Sequence, residues 1–254
     1  MRGARLIQTI IALGCISILH GQTFNLFAAA SLKESVTEIS KAFQRTHRNV
    51  VFSLNFGGSQ QLVAQIRQGA PVDILLSADT QALRPLTYDK PSLRVFATNK
   101  LAIVVPAGSS AVRRLQDLAR NVRLIVADAH VPVGHYTEAM LAKAQVDWGR
   151  GWVAKFRQNI VSKEQDVRAV LAKVVLGEAD AGIVYVTDAM TAKGKVRLIP
   201  IADRYNVVAQ YPVVQFHDAS NPEIAKEFVK FLFEPEAQKI LAKHGFGPPK
   251  PLAQ

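Results

Sequence analysis

Ser31 stands three residues before Glu34, at the end of the apolar run Phe27-Ala28-Ala29-Ala30. That Ser-x-x-Glu spacing predicts a capping box, in which the serine hydroxyl accepts from a free N–H of its own helix and the glutamate reaches back. The first turn of a helix also attracts anions, because its N–H groups lack intrahelical partners and the peptide dipoles add up there. A serine at such a place can accept from its helix and offer its proton outward. Three further loop-to-helix junctions have the same character: Ser59 after Gly57-Gly58, Val133-Gly134 after Pro132, and Val167 after Gln165-Asp166. Tyr185 ends the apolar run Gly182-Ile183-Val184 and adds a hydroxyl at a strand end. Taken singly, each junction is an ordinary helix cap. Converging, they make a pocket of N–H and O–H donors that holds an oxyanion without a countercharge.

Other chemistries lack their residues. No Gly-x-Ser-x-Gly nucleophile elbow and no His-Glu-x-x-His set occur. His130 and His135 lie five apart around a proline, poor spacing for one helix face, and read as a solvated loop. Gly57-Gly58-Ser59 lacks the lysine of a phosphate-binding loop. Asp73 and Asp79 flank a strand, with nothing to mark them as an acid–base pair. The single cysteine, Cys15, lies in the N-terminal leader, so the rest of the chain has no thiol nucleophile, disulfide or thiolate metal site. An exported hydrolase using Ser31 or Ser59 needs a base within reach of the hydroxyl, and no motif places one.

The elements that must position these groups alternate. Strands are predicted at Phe24–Ala28, Val50–Phe56, Asp73–Ser77, Leu101–Val105, Arg123–Ala127, Ala181–Val186 and within Val207–Phe216. Helices are predicted at about Leu32–Arg45, Gln60–Gln68, Arg113–Ala119, His135–Ala144, Asp166–Leu176, Pro222–Phe233 and Pro235–His244. The first shows the stripe Leu32, Val36, Ile39, Phe43, and the last two begin at prolines that suit a first helical turn. Such alternation implies an α/β fold with mostly parallel sheets, in two lobes. The boundaries are drawn at 22–102 with 209–254 for one lobe and 103–208 for the other. The strands near Leu101–Val105 and Tyr211–Phe216 are the expected crossings, and the closing helices return to the first lobe.

Residues 1–21 read as a signal peptide: Arg2 and Arg5 precede the apolar stretch Leu6–Leu19, and Gly21 closes a cleavage zone. An uncleaved anchor is the alternative. Ala12-Leu13-Gly14-Cys15 also resembles a loose lipoprotein box, although the apolar core continues after Cys15 where a lipidated cysteine normally starts a polar tether. The mature chain is therefore expected to be exported and soluble. The formal charge is +11, and loss of Arg2 and Arg5 with the leader lowers it by two. The positive charge is dispersed, with Arg113-Arg114 its densest pair, so it does not read as a nucleic-acid surface.

Five segments in order resemble the periplasmic molybdate-binding proteins of ABC transporters. They are Phe27–Leu32, Gly69–Asp73 followed by Ser77-Ala78-Asp79, His130–Gly134, Asp166-Val167-Arg168 and Gly182–Tyr185. Tyr211-Pro212 and Lys243–Phe246 look like the same family's closing region. The resemblance implies a two-lobed type II periplasmic binding protein, each lobe a mostly parallel sheet flanked by helices. It implies a periplasmic monomer that holds molybdate or tungstate in the cleft and delivers it to an inner-membrane ABC permease. It implies no catalytic residue, no cofactor and no metal beyond the oxyanion. Carried over by motif, Ser31 and Ser59 each give a hydroxyl and a backbone N–H, Val133 and Val167 give backbone N–H groups, and Tyr185 gives its hydroxyl. Two features depart from the family. Only one serine stands in Gly57-Gly58-Ser59-Gln60, where a serine-rich turn is usual, and Val133 replaces a smaller alanine.

Sulfate, molybdate and tungstate share charge and shape, so size must choose among them. Phosphate needs an acceptor for its proton, and Asp166 is the carboxylate to watch. A receptor for sulfate or an organic acid is the runner-up, and for the organic acid Arg168 is the candidate clamp.

Overall fold

The structure is a computed structural model that describes residues 22–251. The leader and Cys15 lie outside the described residues. The elements run β1 (Gln22–Ala29), α1 (Lys33–Gln44), β2 (Val50–Gly57), α2 (Ser59–Arg67), β3 (Ile74–Leu76) and β4 (Arg94–Pro106). Then come β5 (Leu124–Ala127), α3 (Pro132–Gln158), β6 (Ile160–Glu164), α4 (Val167–Val175), β7 (Ala181–Tyr185), α5 (Val186–Thr191) and β8 (Val196–Pro200). β9 (Val208–Gln215), α6 (Pro222–Phe231) and α7 (Pro235–Lys243) complete the described chain. Among the described residues no helix is long and apolar enough to cross a membrane.

β1 pairs in parallel with β2 on one side and β3 on the other. Successive side chains of a strand face opposite ways, so Phe24, Leu26 and Ala28 enter the main core while Phe27 enters a second cluster with Leu62 and Leu75. Both faces are therefore covered by helices, as a parallel sheet requires. On the first face Val36, Ile39 and Phe43 of α1 meet Phe228 of α6, with ring centroids of Phe43 and Phe228 5.3 Å apart. On the second, α2 contributes Leu62 and Val63.

A second parallel set is built the same way, with β5 between β6 and β7. Strands β4 and β9 bring antiparallel pairing into both regions. β9 pairs with β3 and with the first half of β4, Arg94–Lys100. The second half of β4 pairs with β7 and β8. The long strand thus passes from one sheet region into the other at Lys100–Leu101, and α7 returns to pack on α1. The chain has a type II periplasmic binding protein fold.

Several elements differ from their sequence pattern: β8 and α5 were not expected, and β4 begins at Arg94, well before the predicted start at Leu101. The helix read as His135–Ala144 begins at Pro132 and continues to Gln158, with a break at Gly149, whose φ is 75°. Beyond the break, Trp152, Val153 and Phe156 carry the apolar face of the second segment onto the core. The segment Arg113–Ala119 forms a 3-10 turn only over Leu115–Ala119. β6 was not expected, because its alternation is weak and its residues are half-buried at the sheet edge.

Candidate functional site

The carboxyl ends of β1, β2, β3 and β7 and the first turns of α2, α3 and α4 surround one cavity, with an empty volume of about 230 Å³. This is the end of an α/β sheet where ligands bind. The volume lies below the range of about 300–1,000 Å³ typical for drug-sized ligands, so a small solute fits. Ser31, Ser59, Val133, Val167 and Tyr185 all line it. They come from five separate segments, and each is buried.

Ser31 does not form the capping box its spacing predicts. It lies in a 3-10 turn, Ala30–Leu32, ahead of α1, and no side chain caps either segment. Its Oγ is instead 2.9 Å from the Tyr211 hydroxyl. Glu34 turns the other way and accepts from Arg168, with Nη1 3.1 Å from its Oε1. Tertiary partners far along the chain have replaced the local cap at both residues.

Ser59 is the first residue of α2, after Gly58. Its Oγ accepts from the Ala78 N–H at 3.1 Å, which leaves its proton available to another acceptor. Gly58 donates its own N–H to the Gln61 side chain at 3.0 Å. A side chain at Gly58 would meet the Gln165 carbonyl oxygen at 2.6 Å. Glycine therefore lets the α2 turn approach the loop before α4, where Gln60 Nε2 donates to that same carbonyl at 2.7 Å.

Val133 and Val167 sit at first helical turns, where backbone N–H groups have no partner within the helix. Asp166 also lines the cavity, but its Oδ1 is turned to its own helix and accepts from Arg168 N at 2.7 Å and Ala169 N at 2.9 Å. That cap leaves the preceding N–H, on Val167, outside its reach. The Val133 side chain packs into the main core, so the residue presents its backbone to the cavity at little cost in volume.

Tyr185 is 1% exposed, and its hydroxyl has no hydrogen-bond partner among the described residues. Burial pushes that hydroxyl well above its ordinary pKa, so it stays protonated and can donate. An unpaired buried hydroxyl is costly unless something completes it. Its place on the cavity wall says where that partner belongs.

Apart from Asp166, no charged side chain among the described residues lines the cavity. His135 Nδ1 lies 2.7 Å from Asp79 Oδ2, and its Nε2 3.0 Å from Gln81 Nε2. His135 lies on α3, as the helix pattern from His135 predicts, but it is partnered rather than solvated. Arg168 bridges Glu34 on α1 and Asp188 on α5, and it does not line the cavity. Asp73 has a structural job, accepting from Asn25 N at 2.6 Å and Ser220 Oγ at 2.7 Å to tie the sheet to the C-terminal segment. Sequence reasoning missed the two groups behind the serines, Tyr211 and the Ala78 N–H. Ala78 was within reach, because it sits in the Ser77-Ala78-Asp79 segment at a strand end.

A cavity lined by first helical turns and hydroxyls at the strand ends of an α/β fold is built to hold a solute. The family model for bacterial extracellular solute-binding proteins matches residues 24–247. The molybdate-binding protein ModA of Mycobacterium tuberculosis is 33% identical over 231 residues, covering 88% of this chain and 84% of the relative. ModA of Escherichia coli is 30% identical over 233 residues, with 87% of each covered. The solved periplasmic molybdate-binding protein of Azotobacter vinelandii superposes with a TM-score of 0.77 over 89% of this chain and 100% of that one. Its 19% identity makes that a likeness of fold. By the extent of the family match and by these relatives, the chain belongs to the bacterial extracellular solute-binding proteins.

Proposed function

We propose that this protein captures molybdate or tungstate in the cavity through neutral hydrogen-bond donors and delivers it to an ABC permease from the periplasm. The observation that carries the reading is the convergence of Ser31, Ser59, Val133, Val167 and Tyr185 on one small cavity. Its lining, among the described residues, includes neither lysine nor arginine. Dipoles and hydroxyl protons then supply the stabilisation of the anion. Ser31 and Ser59 give a hydroxyl and an N–H each, Val133 and Val167 an N–H each, and Tyr185 its hydroxyl. The cleft lies between residues 22–102 with 209–254 and residues 103–208, and the donors of both sides meet on the ligand. The protein acts as a monomer after removal of residues 1–21.

Two arrangements support this reading over its neighbours. The Asp166 carboxylate caps α4 through Oδ1, which commits that oxygen to the helix rather than to the proton of hydrogen phosphate. Arg168 is held by Glu34 and Asp188, which takes away the clamp an organic acid would need. For a hydrolase, the serine hydroxyls face Tyr211 and the Ala78 N–H, and neither is a base at neutral pH.

Calorimetric titration of the ligand-free protein with molybdate, tungstate, sulfate and phosphate tests the reading. Saturable heat is expected from molybdate and tungstate. Heat from sulfate with none from molybdate would overturn the assignment. Tyr185→Phe removes one donor at constant ring packing. It is expected to weaken molybdate binding by about 1–2 kcal/mol, and an unchanged affinity would remove Tyr185 from the ligand set.

A further inference from the structure

Behind Ser31 lies a hydrogen-bond chain that the ligand set does not include. The Tyr211 hydroxyl is 2.9 Å from Ser31 Oγ and 3.4 Å from Asn99 Nδ2. Asn99 and Tyr211 are buried, and Asn99 Nδ2 also donates to Thr187 Oγ1 at 2.8 Å. The Asn99 amide is oriented by its other end, because Oδ1 accepts from the Lys100 N–H at 2.9 Å. Its NH₂ group therefore faces Tyr211 and can only donate.

This sets the direction of the remaining protons. The Tyr211 oxygen accepts from Asn99, so its own proton goes to Ser31 Oγ. Ser31 Oγ is then filled on its acceptor side by the tyrosine, and its proton is left for the cavity that Ser31 lines. Ser59 is treated in the same way by the Ala78 N–H. Burial pushes the Tyr211 hydroxyl above its ordinary pKa, so the relay keeps its proton at neutral pH.

We infer that Tyr211 and Asn99 are positioning residues that fix Ser31 as a hydrogen-bond donor to an oxyanion in the cavity. The inference rests on the oxyanion reading above. It assigns specificity to residues that do not touch the ligand: a serine held as a donor favours a fully deprotonated oxyanion over one that must give a proton.

The test is a double-mutant cycle of Ser31→Ala and Tyr211→Phe, titrated with molybdate, tungstate and sulfate. Tyr211→Phe keeps the ring that packs edge-on against Phe246 at 5.2 Å. It is expected to weaken binding about fivefold to tenfold, as loss of one oriented hydrogen bond does. In the Ser31→Ala background the same change is expected to alter affinity by less than about twofold, since nothing remains to orient. A purely structural tyrosine would cost the same factor in both backgrounds, and that additive result overturns the relay while leaving the oxyanion reading intact. If none of the three anions binds the wild-type protein, the relay and that reading fall together.

Asn99→Asp gives a second arm. A carboxylate oxygen facing Tyr211 accepts its proton, so Ser31 must donate to the tyrosine and turn its lone pairs to the cavity. This variant is expected to lose more affinity than Tyr211→Phe and to narrow the preference for molybdate over hydrogen phosphate. A preference unchanged from wild type, in a variant whose ligand-free unfolding midpoint shows that it folds, counts against the relay.

Discussion

Replacing Arg168 by methionine is expected to destabilise the protein by about 3 kcal/mol at pH 8, because it leaves a buried carboxylate without its counter-ion. Asp188 is 0% exposed. Arg168 Nε lies 2.6 Å from its Oδ1, close enough for ionic attraction but out of line for a hydrogen bond. The same guanidinium is shared with Glu34. Burial therefore dominates and pushes Asp188 up to about 7, with Arg168 opposing and Glu34 adding to the rise. On Arg168 itself burial works against the charge, but Asp188 and Glu34 more than offset it and hold the pKa above its ordinary value. Arg168 is a quarter exposed, so the low end of the usual range for breaking a buried pair applies.

The pH dependence has a definite sign. The folded-state pKa of Asp188 is above the ordinary carboxylate value, so the folded protein holds this proton more tightly than the unfolded chain. The resulting stability is fully present below the ordinary carboxylate range and is lost as pH rises through about 7. Without Arg168 the charged form is less tolerated still, and more stability is lost at high pH. At pH 5, where Asp188 is mostly neutral, the cost is expected to fall to roughly 1 kcal/mol, the part that reflects the half-exposed link to Glu34. Urea unfolding at pH 5 and pH 8 measures both values. A destabilisation that is the same at the two pH values would show that Asp188 does not titrate in this window.

Gly134→Ala should damage the site through its backbone. A Cβ at this position would lie 1.9 Å from the Asp128 carbonyl oxygen and 2.6 Å from the carbonyl carbon. Neither atom belongs to a flexible side chain, so the turn from Asp128 into α3 must move. That turn is held by the Val131 N–H donating to Asp128 O at 2.9 Å, and it carries Val133 to the cavity. Overpacking of this kind costs about 1–3 kcal/mol of stability. Displacing one or two N–H donors from a charged ligand is expected to weaken molybdate binding by a further 2–4 kcal/mol or so, about thirty- to a thousandfold. Thermal unfolding without ligand and calorimetry with it separate the two effects. Wild-type affinity in this variant would mean that Val133 is not held to the ligand by this turn.

Much of the architecture was legible because its signals are local. The stripe Leu32, Val36, Ile39, Phe43 faces the core as a helix of that period must, and all four side chains are buried. Gly69 and Gly177, at φ values of 90° and 75°, follow helices α2 and α4 where the chain must turn back. The donor-bearing junctions were legible for the same reason. Gly57-Gly58-Ser59, Pro132-Val133-Gly134 and Asp166-Val167 each announce a helix start within a few residues.

What was not legible depended on distance. Nothing near Ser31 says that its hydroxyl meets Tyr211, 180 residues on, rather than its own helix. Nothing near Val167 says that Arg168 is engaged by Glu34 and Asp188 and so kept from the cavity. β6 escaped because an edge strand needs only one partner and a half-buried face, which leaves a faint pattern.

The sequence by itself determined most of the alternation of strands and helices and the points where several helices begin, since periodicity, proline and glycine act over a few residues. Only the tertiary structure decided that five such points face one cavity and which groups the serine hydroxyls meet. Those outcomes depend on pairings such as β4 with β7 and Tyr211 with Ser31. Burial makes such pairings obligatory, because a polar group removed from water must find a partner wherever the fold brings one.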